Sequence, residues 1–134
     1  MANFNLLLSG RGLILCAAIL TWVTLLLAES SGPPAQIMGL FVNFDKIAHF
    51  SAYSVLGLLV CALYFQISPR LALPLLSAPL FISILVGGSE ELYQMTVPGR
   101  QASLYDLLAD SCGAAFSIIL ANRIAKLSRQ HENL

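Results

Sequence analysis

Asp45, His49 and Tyr53 recur every four residues in the stretch Asp45-Lys-Ile-Ala-His-Phe-Ser-Ala-Tyr53, the spacing that lines side chains along one face of a helix. At 1.5 Å of rise per residue, His49 lies about 6 Å and Tyr53 about 12 Å along that stripe from Asp45. A carboxylate, an imidazole and a phenol in a row can move a proton, orient a base or bind a polar group. Two further acid pairs follow. Glu90 and Glu91 precede Gln94, and Asp106 and Asp110 stand four apart in Tyr105-Asp-Leu-Leu-Ala-Asp-Ser-Cys-Gly113. Two bases, Lys46 and Arg100, are interleaved with these acids.

The elements that carry these groups are apolar. Of 134 residues, 57% are hydrophobic and only 10% charged, and the mean hydropathy is +0.79, too little polar surface to cover a soluble globule of this size. Four apolar segments, about 12–28, 47–65, 71–88 and 104–121, each approach the roughly 20 residues that cross a bilayer as a helix. One domain over 1–134 is expected, an all-α polytopic membrane four-helix bundle. Breaks fall at Glu29-Ser-Ser-Gly-Pro-Pro34, Ser68-Pro69-Arg70 and Val97-Pro98-Gly99. Pro74 and Pro79 are expected to kink the third span. The tail from Asn122 is polar, basic near the membrane and expected to be only partly ordered.

Arg11, Arg70, Arg123, Lys126 and Arg129 fall on one side of these spans, and Lys46 and Arg100 on the other, so the positive-inside rule places both termini in the cytoplasm. The polar cluster then faces outward. Arg11 ahead of an apolar stretch and Ala28-Glu-Ser30 also fit a cleaved secretory signal, which would leave three spans and the same cluster. A net charge of zero argues against a nucleic-acid partner. Cys16, Cys61 and Cys112 lie in apolar runs without metal-ligand spacing and read as small buried hydrophobes.

Ionisable groups within spans mark a functional site by default. On the third helix, Glu91 and Gln94 share a face, with Gln94 expected to orient Glu91; Glu90 points about 100° away and reads as a surface or helix-end residue. Acids at a helix C-terminus oppose the macrodipole, so helix stability does not account for them. Asp106 suits the start of the fourth helix, whereas Asp110 lies a turn deeper, and Gly113 with Ser117 offers a face for close helix contact. Arg100 is placed to fold over the acids or to bind an anion bidentately. Asp-x-x-Ala followed by a polar residue heads both the second and the fourth helix, the trace of a two-hairpin repeat. The bland alternative is an ionic lock that pins three helix ends together, against which stands the number of acids.

Together, Asp45-Lys46-x-x-His49-x-x-x-Tyr53, Glu91-x-x-Gln94, Pro98-Gly99-Arg100 and Asp106-x-x-x-Asp110-x-x-Gly113 resemble the VanZ-like family of small bacterial membrane proteins. The family usually carries Asn where Asp110 stands. A carboxyl group there either carries a proton and acts as an amide-like donor, or recruits a cation. The resemblance implies a multi-pass protein of the bacterial cytoplasmic (inner) membrane, with a relative associated with low-level resistance to teicoplanin-type lipoglycopeptides.

Three functions fit these residues. The first is an enzyme acting on an envelope lipid head group, with His49 or Glu91 as general base, Asp106 as a further catalytic candidate, Lys46 and Arg100 on a phosphate, and the acids holding a divalent metal. The second is a non-catalytic module that binds a lipid head group, a lipid-linked envelope precursor or a partner protein through Asp45, Lys46, Tyr53, Gln94, Arg100 and Asp110. A small transporter ranks last, because the acids gather at one face and the other halves of the helices are uncharged; a homo-oligomer could build a path. The sequence leaves catalysis open, and the metal and cofactor unknown.

Overall fold

The computed structural model describes residues 7–33, 43–68, 73–74 and 77–131. Four helices follow one another: α1 (Gly10–Ser30), α2 (Phe44–Ile67), α3 (Ala78–Gln94) and α4 (Leu104–His131). Among the described residues there is no strand, and the protein is an all-α helical bundle. α1, α2 and α4 are long and apolar enough to cross a membrane. α3, with 17 residues, is about 25 Å long and sits at the lower limit for a span.

The helices alternate in direction. Ser30 at the end of α1 bonds Glu90 near the end of α3, while Lys46 at the start of α2 pairs with Asp106 at the start of α4. At the opposite end Gln66 of α2 donates to Ser9, which also caps α1 by accepting from Gly12 N–H at 3.2 Å.

α2 and α4 form the closest pair, and small residues make this approach feasible. A Cβ at Gly113 would run into the Phe50 carbonyl oxygen and stand 2.9 Å from Ser54 N, and one at Gly57 would overlap Ser117 Oγ. Gly113 and Ser117 are thus the contact face that their spacing predicts, and Ser54 Oγ donates to the Gly113 carbonyl at 3.3 Å. Tyr53, Leu56 and Val60 pack against Ile19, Trp22, Val23 and Leu26 of α1 and Ile82 and Val86 of α3. Trp22 Nε1 donates to the Ala52 carbonyl across the α1–α2 contact. A second cluster, Cys61, Leu73, Ile118 and Ala121, fills the other end. Exposed Leu13, Ile14, Leu20, Phe81, Leu85, Phe116 and Ile119 form the outward apolar surface that a bilayer covers.

Two expectations about the elements are corrected. The third helix runs from Ala78 to Gln94 rather than over 71–88, of which 71–72 and 75–76 lie outside the described residues. Pro74 precedes this helix and Pro79 occupies its first turn, where a missing N–H costs nothing and the fixed φ favours initiation, so neither kinks it. The fourth helix does not end near 121. Arg123-Ile-Ala-Lys-Leu127 contains good helix formers and no breaker, and the tail stays helical to His131. The turns at Pro34 and at Pro69-Arg70 also fall outside the described residues.

Candidate functional site

The ends of α1 and α3 and the starts of α2 and α4 meet at one end of the bundle, and all the singled-out polar residues are there. Between them opens a cleft of about 570 Å³. Its lining mixes apolar Leu26, Ala48 and Ala52 with polar Asp45, His49, Tyr53, Glu90, Gln94, Arg100 and Asp106.

The stripe on α2 is formed as its spacing predicts. Asp45 pairs with Lys46 at 2.6 Å, and the His49 and Tyr53 rings stack with centroids 6.5 Å apart and planes 8° from parallel. His49 Nδ1 meets Asp110 Oδ1 at 2.9 Å, and Lys46 Nζ bridges from Asp45 to Asp106 Oδ1 at 2.5 Å. The Asp-x-x-Ala motifs of α2 and α4 thus face each other. Asp110, fully buried, has an imidazole as its partner, and Gly87 leaves it room: a Cβ there would stand 2.5 Å from Asp110 Oδ2.

The reading of α3 needs correction. Glu90 is no surface residue: it is buried, accepting from Tyr53 Oη at 2.6 Å, from Ser30 Oγ at 2.5 Å and from Gln94 Nε2 at 3.4 Å. Gln94 therefore orients Glu90, one full turn before it, and not Glu91. Glu91 turns toward α4, where its Oε2 accepts the Ser103 N–H. Both acids join the cluster because the end of α3 is held on two sides, by α1 and α2 on one and by α4 on the other.

Ser103 caps α4, accepting from Asp106 N–H at 3.3 Å. In the usual Ser-x-x-acid capping arrangement the acid would reach back to the Ser103 N–H. Glu91 takes that donor instead, which leaves the Asp106 carboxylate for Lys46. Ser103, like Ser30, was not a candidate on sequence grounds, since a lone serine in a turn carries no signal.

Arg100 is aimed by a turn of type II character. Pro98 and Gly99 occupy its centre, Gly99 has φ +85°, and Arg100 N–H donates to the Val97 carbonyl at 3.1 Å. The guanidinium reaches the end of α1, donating to the Gly32 carbonyl, the Glu29 carbonyl and Glu29 Oε1. It folds over the acids in part, but its partners are α1 groups, and Glu29 is one that the sequence did not single out. The orphan carbonyls of a helix C-terminus are satisfied in this way.

His49, Glu91 and Asp106, drawn from three helices, each offer a donor atom within 4.8 Å of the others, a set able to hold a cation. Glu91 Oε1 and Asp110 Oδ2 are buried with no hydrogen-bond partner.

Residues 13–126 match the VanZ/LLP1 family, so the chain belongs to that family, and it is a membrane protein built on apolar helices. No curated protein and no solved structure matches it.

Proposed function

We propose that this protein sits in the bacterial cytoplasmic membrane with both termini inside, and that its cleft binds the head group of an envelope lipid or lipid-linked precursor at the outer face. One observation carries this reading: the cleft lining is mixed, with apolar Leu26, Ala48 and Ala52 among charged and polar groups, at the end of a bundle whose outside is apolar. A volume of about 570 Å³ lies within the range of small-molecule sites. An amphiphile matches such a lining, with its polar group against the acids and its glycerol or isoprenoid stem against Leu26 and the alanines. The excess of basic residues at the opposite end supports the orientation.

Arg100 and Lys46 shape the site rather than offering free charges, since each is held by acids and Arg100 also by carbonyls. Head-group phosphate is therefore not recognised by an open basic clamp. Hydroxyl and amine groups suit the acidic rim better, where the Asp45 side chain is 43% exposed.

The test is mass spectrometry of lipids retained by the detergent-purified protein after incubation with an envelope-lipid extract. Wild type is expected to hold one lipid class, and Ala48→Phe, which places a large side chain in the cleft lining, to lose it. Equal retention by both rules the reading out. Arg100→Ala is expected to weaken retention by releasing the end of α1.

A second reading, catalysis on the same head group, is favoured by the Asp110–His49 pair at the cleft, since an oriented imidazole is a general base in waiting. It predicts a new product in the same experiment, lost in His49→Ala. An unchanged lipid leaves the protein a binding module.

A further inference from the structure

Five acids, Asp45, Glu90, Glu91, Asp106 and Asp110, converge on the end of the bundle, and the side chains paired with them there are the Lys46 ammonium and the His49 imidazole. Glu90 is satisfied by neutral donors from Ser30, Tyr53 and Gln94. Negative charge therefore remains in excess around His49, Glu91 and Asp106, the three residues whose donor atoms lie within 4.8 Å of one another.

An acidic cluster alone would carry little, but two independent features of these side chains point to a ligand. Glu91 is only 7% exposed, yet its Oε1 has no hydrogen-bond partner, while Oε2 is spoken for by the Ser103 N–H. A buried carboxylate oxygen left without a donor is costly, and a bound cation would satisfy it. His49 is also pre-set. Its Nδ1 is held at 2.9 Å by Asp110 Oδ1, which leaves Nε2 as the free ring nitrogen. Carboxylate behind imidazole is the arrangement that orients metal-binding histidines and raises their basicity. Asp110 is itself immobilised, with no exposed surface and Gly87 opposite one of its oxygens.

We propose that His49, Glu91 and Asp106 bind one divalent transition-metal cation, with Asp110 as the group that positions His49. One nitrogen and two carboxylates without a thiolate suit Zn²⁺ or Mn²⁺ and disfavour Mg²⁺ and Ca²⁺, which prefer all-oxygen shells. Lys46 occupies Asp106 Oδ1, so Asp106 would offer its other oxygen. Three protein donors leave at least one coordination position open. His49 and Asp106 also line the cleft, so the cation would take a head-group phosphate oxygen at that position and supply the positive charge that Arg100 and Lys46 do not. Only this last step rests on the head-group reading.

The test uses Zn²⁺ alone. Tag-free protein in detergent is stripped with chelator, equilibrated with Zn²⁺, dialysed and analysed by elemental mass spectrometry. One Zn²⁺ per chain is expected. His49→Ala and Glu91→Gln should each weaken affinity at least 100-fold, and Asp110→Asn roughly 10–100-fold with stoichiometry unchanged. A variant with all three cysteines changed to serine should bind as wild type does. Pulsed electron paramagnetic resonance of the wild type loaded with Mn²⁺ needs no variant and should show coupling to a single imidazole nitrogen.

No retained metal in the wild type, wild-type affinity in both His49→Ala and Glu91→Gln, loss of binding with the cysteines, or no nitrogen coupling each overturns the site. Zn²⁺ bound without any lipid retained would defeat the head-group reading and leave the metal site standing. Lipid retention that survives the chelator would defeat the metal's part in recognition.

Discussion

Gly113→Ala is the sharpest perturbation of the α2–α4 contact on which the site is built. The added methyl would run into the Phe50 carbonyl oxygen and stand 2.9 Å from Ser54 N, against 3.4 Å for ordinary contact. Both obstacles are backbone, so no side chain can turn away, and the helices must separate by about 0.5 Å or more. A gap of about that size forfeits a quarter to a half of the dispersion between facing atoms. Overpacking of this kind costs about 1–3 kcal/mol, on the order of 5–10 °C in thermal midpoint for a chain of this length. The same displacement acts one turn away on Asp110 and His49. Their 2.9 Å contact would stretch to the limit of a hydrogen bond. Thermal unfolding in detergent, followed by circular dichroism, reads the stability. Gly88→Ala is the internal control, since a Cβ there meets nothing within 4 Å. That substitution should be neutral or stabilising by up to about 1 kcal/mol through helix propensity. Equal midpoints for Gly113→Ala and wild type, beside an unharmed Gly88→Ala, would refute the close packing of α2 and α4.

Tyr53→Phe removes the 2.6 Å bond to Glu90 Oε2 and leaves a buried carboxylate oxygen without that donor, so a loss of about 1.5–3 kcal/mol is expected in the same unfolding assay; no change would show that the phenol is not a structural donor. Asn122 brackets Leu73 with both ends of its amide, accepting from the N–H at 2.9 Å and donating to the carbonyl at 2.8 Å. Asn122→Ala orphans both backbone groups and should cost about 1–3 kcal/mol, with faster amide hydrogen exchange at Leu73 as the local sign. Arg100→Lys keeps the charge but cannot reproduce three contacts from one planar fork, so it should restore less than half of the lipid retention lost in Arg100→Ala; full restoration would show that charge alone matters.

The convergence of Asp45, His49, Tyr53, Asp106 and Asp110 was legible because period four on a helix and one shared end of the apolar runs are properties of sequence. Gly113 and Ser117 were legible for the same reason: small residues four apart have few uses in a lipid-facing helix other than contact. The division of labour between Glu90 and Glu91 was not. A helical wheel offers one inward stripe, but the end of α3 touches neighbours on two sides, so acids 100° apart are both buried, one on Ser30 and Tyr53 and the other on Ser103. The start of α3 was misread because a hydropathy window weights Leu71–Leu76 as heavily as helix, whereas Pro74 and Pro79 speak about where a helix can begin.

The acids at the end of α3 looked unfavourable in sequence, since their own helix presents its negative end there. The bundle removes part of that conflict. Because α2 and α4 begin where α1 and α3 end, two positive helix ends stand beside two negative ones. Glu91 draws on this directly: its Oε2 takes the N–H at the start of α4, so in space it is an N-terminal acid of a neighbouring helix. Glu90 meets hydroxyls and an amide instead, and Arg100 covers the carbonyls that end α1. Each provision accounts for a particular oxygen, and what stays unprovided is as specific: Glu91 Oε1 and Asp110 Oδ2 are buried without a hydrogen-bond partner, and Glu91 belongs to the set with His49 and Asp106. The lock does not need this charge: Gln in place of Glu91 repels no neighbouring acid, and its oxygen still accepts the Ser103 N–H. Glu91→Gln should therefore raise the thermal midpoint of the metal-free protein while abolishing the rise that Zn²⁺ gives the wild type. A lower metal-free midpoint would mean that the charge is part of the lock.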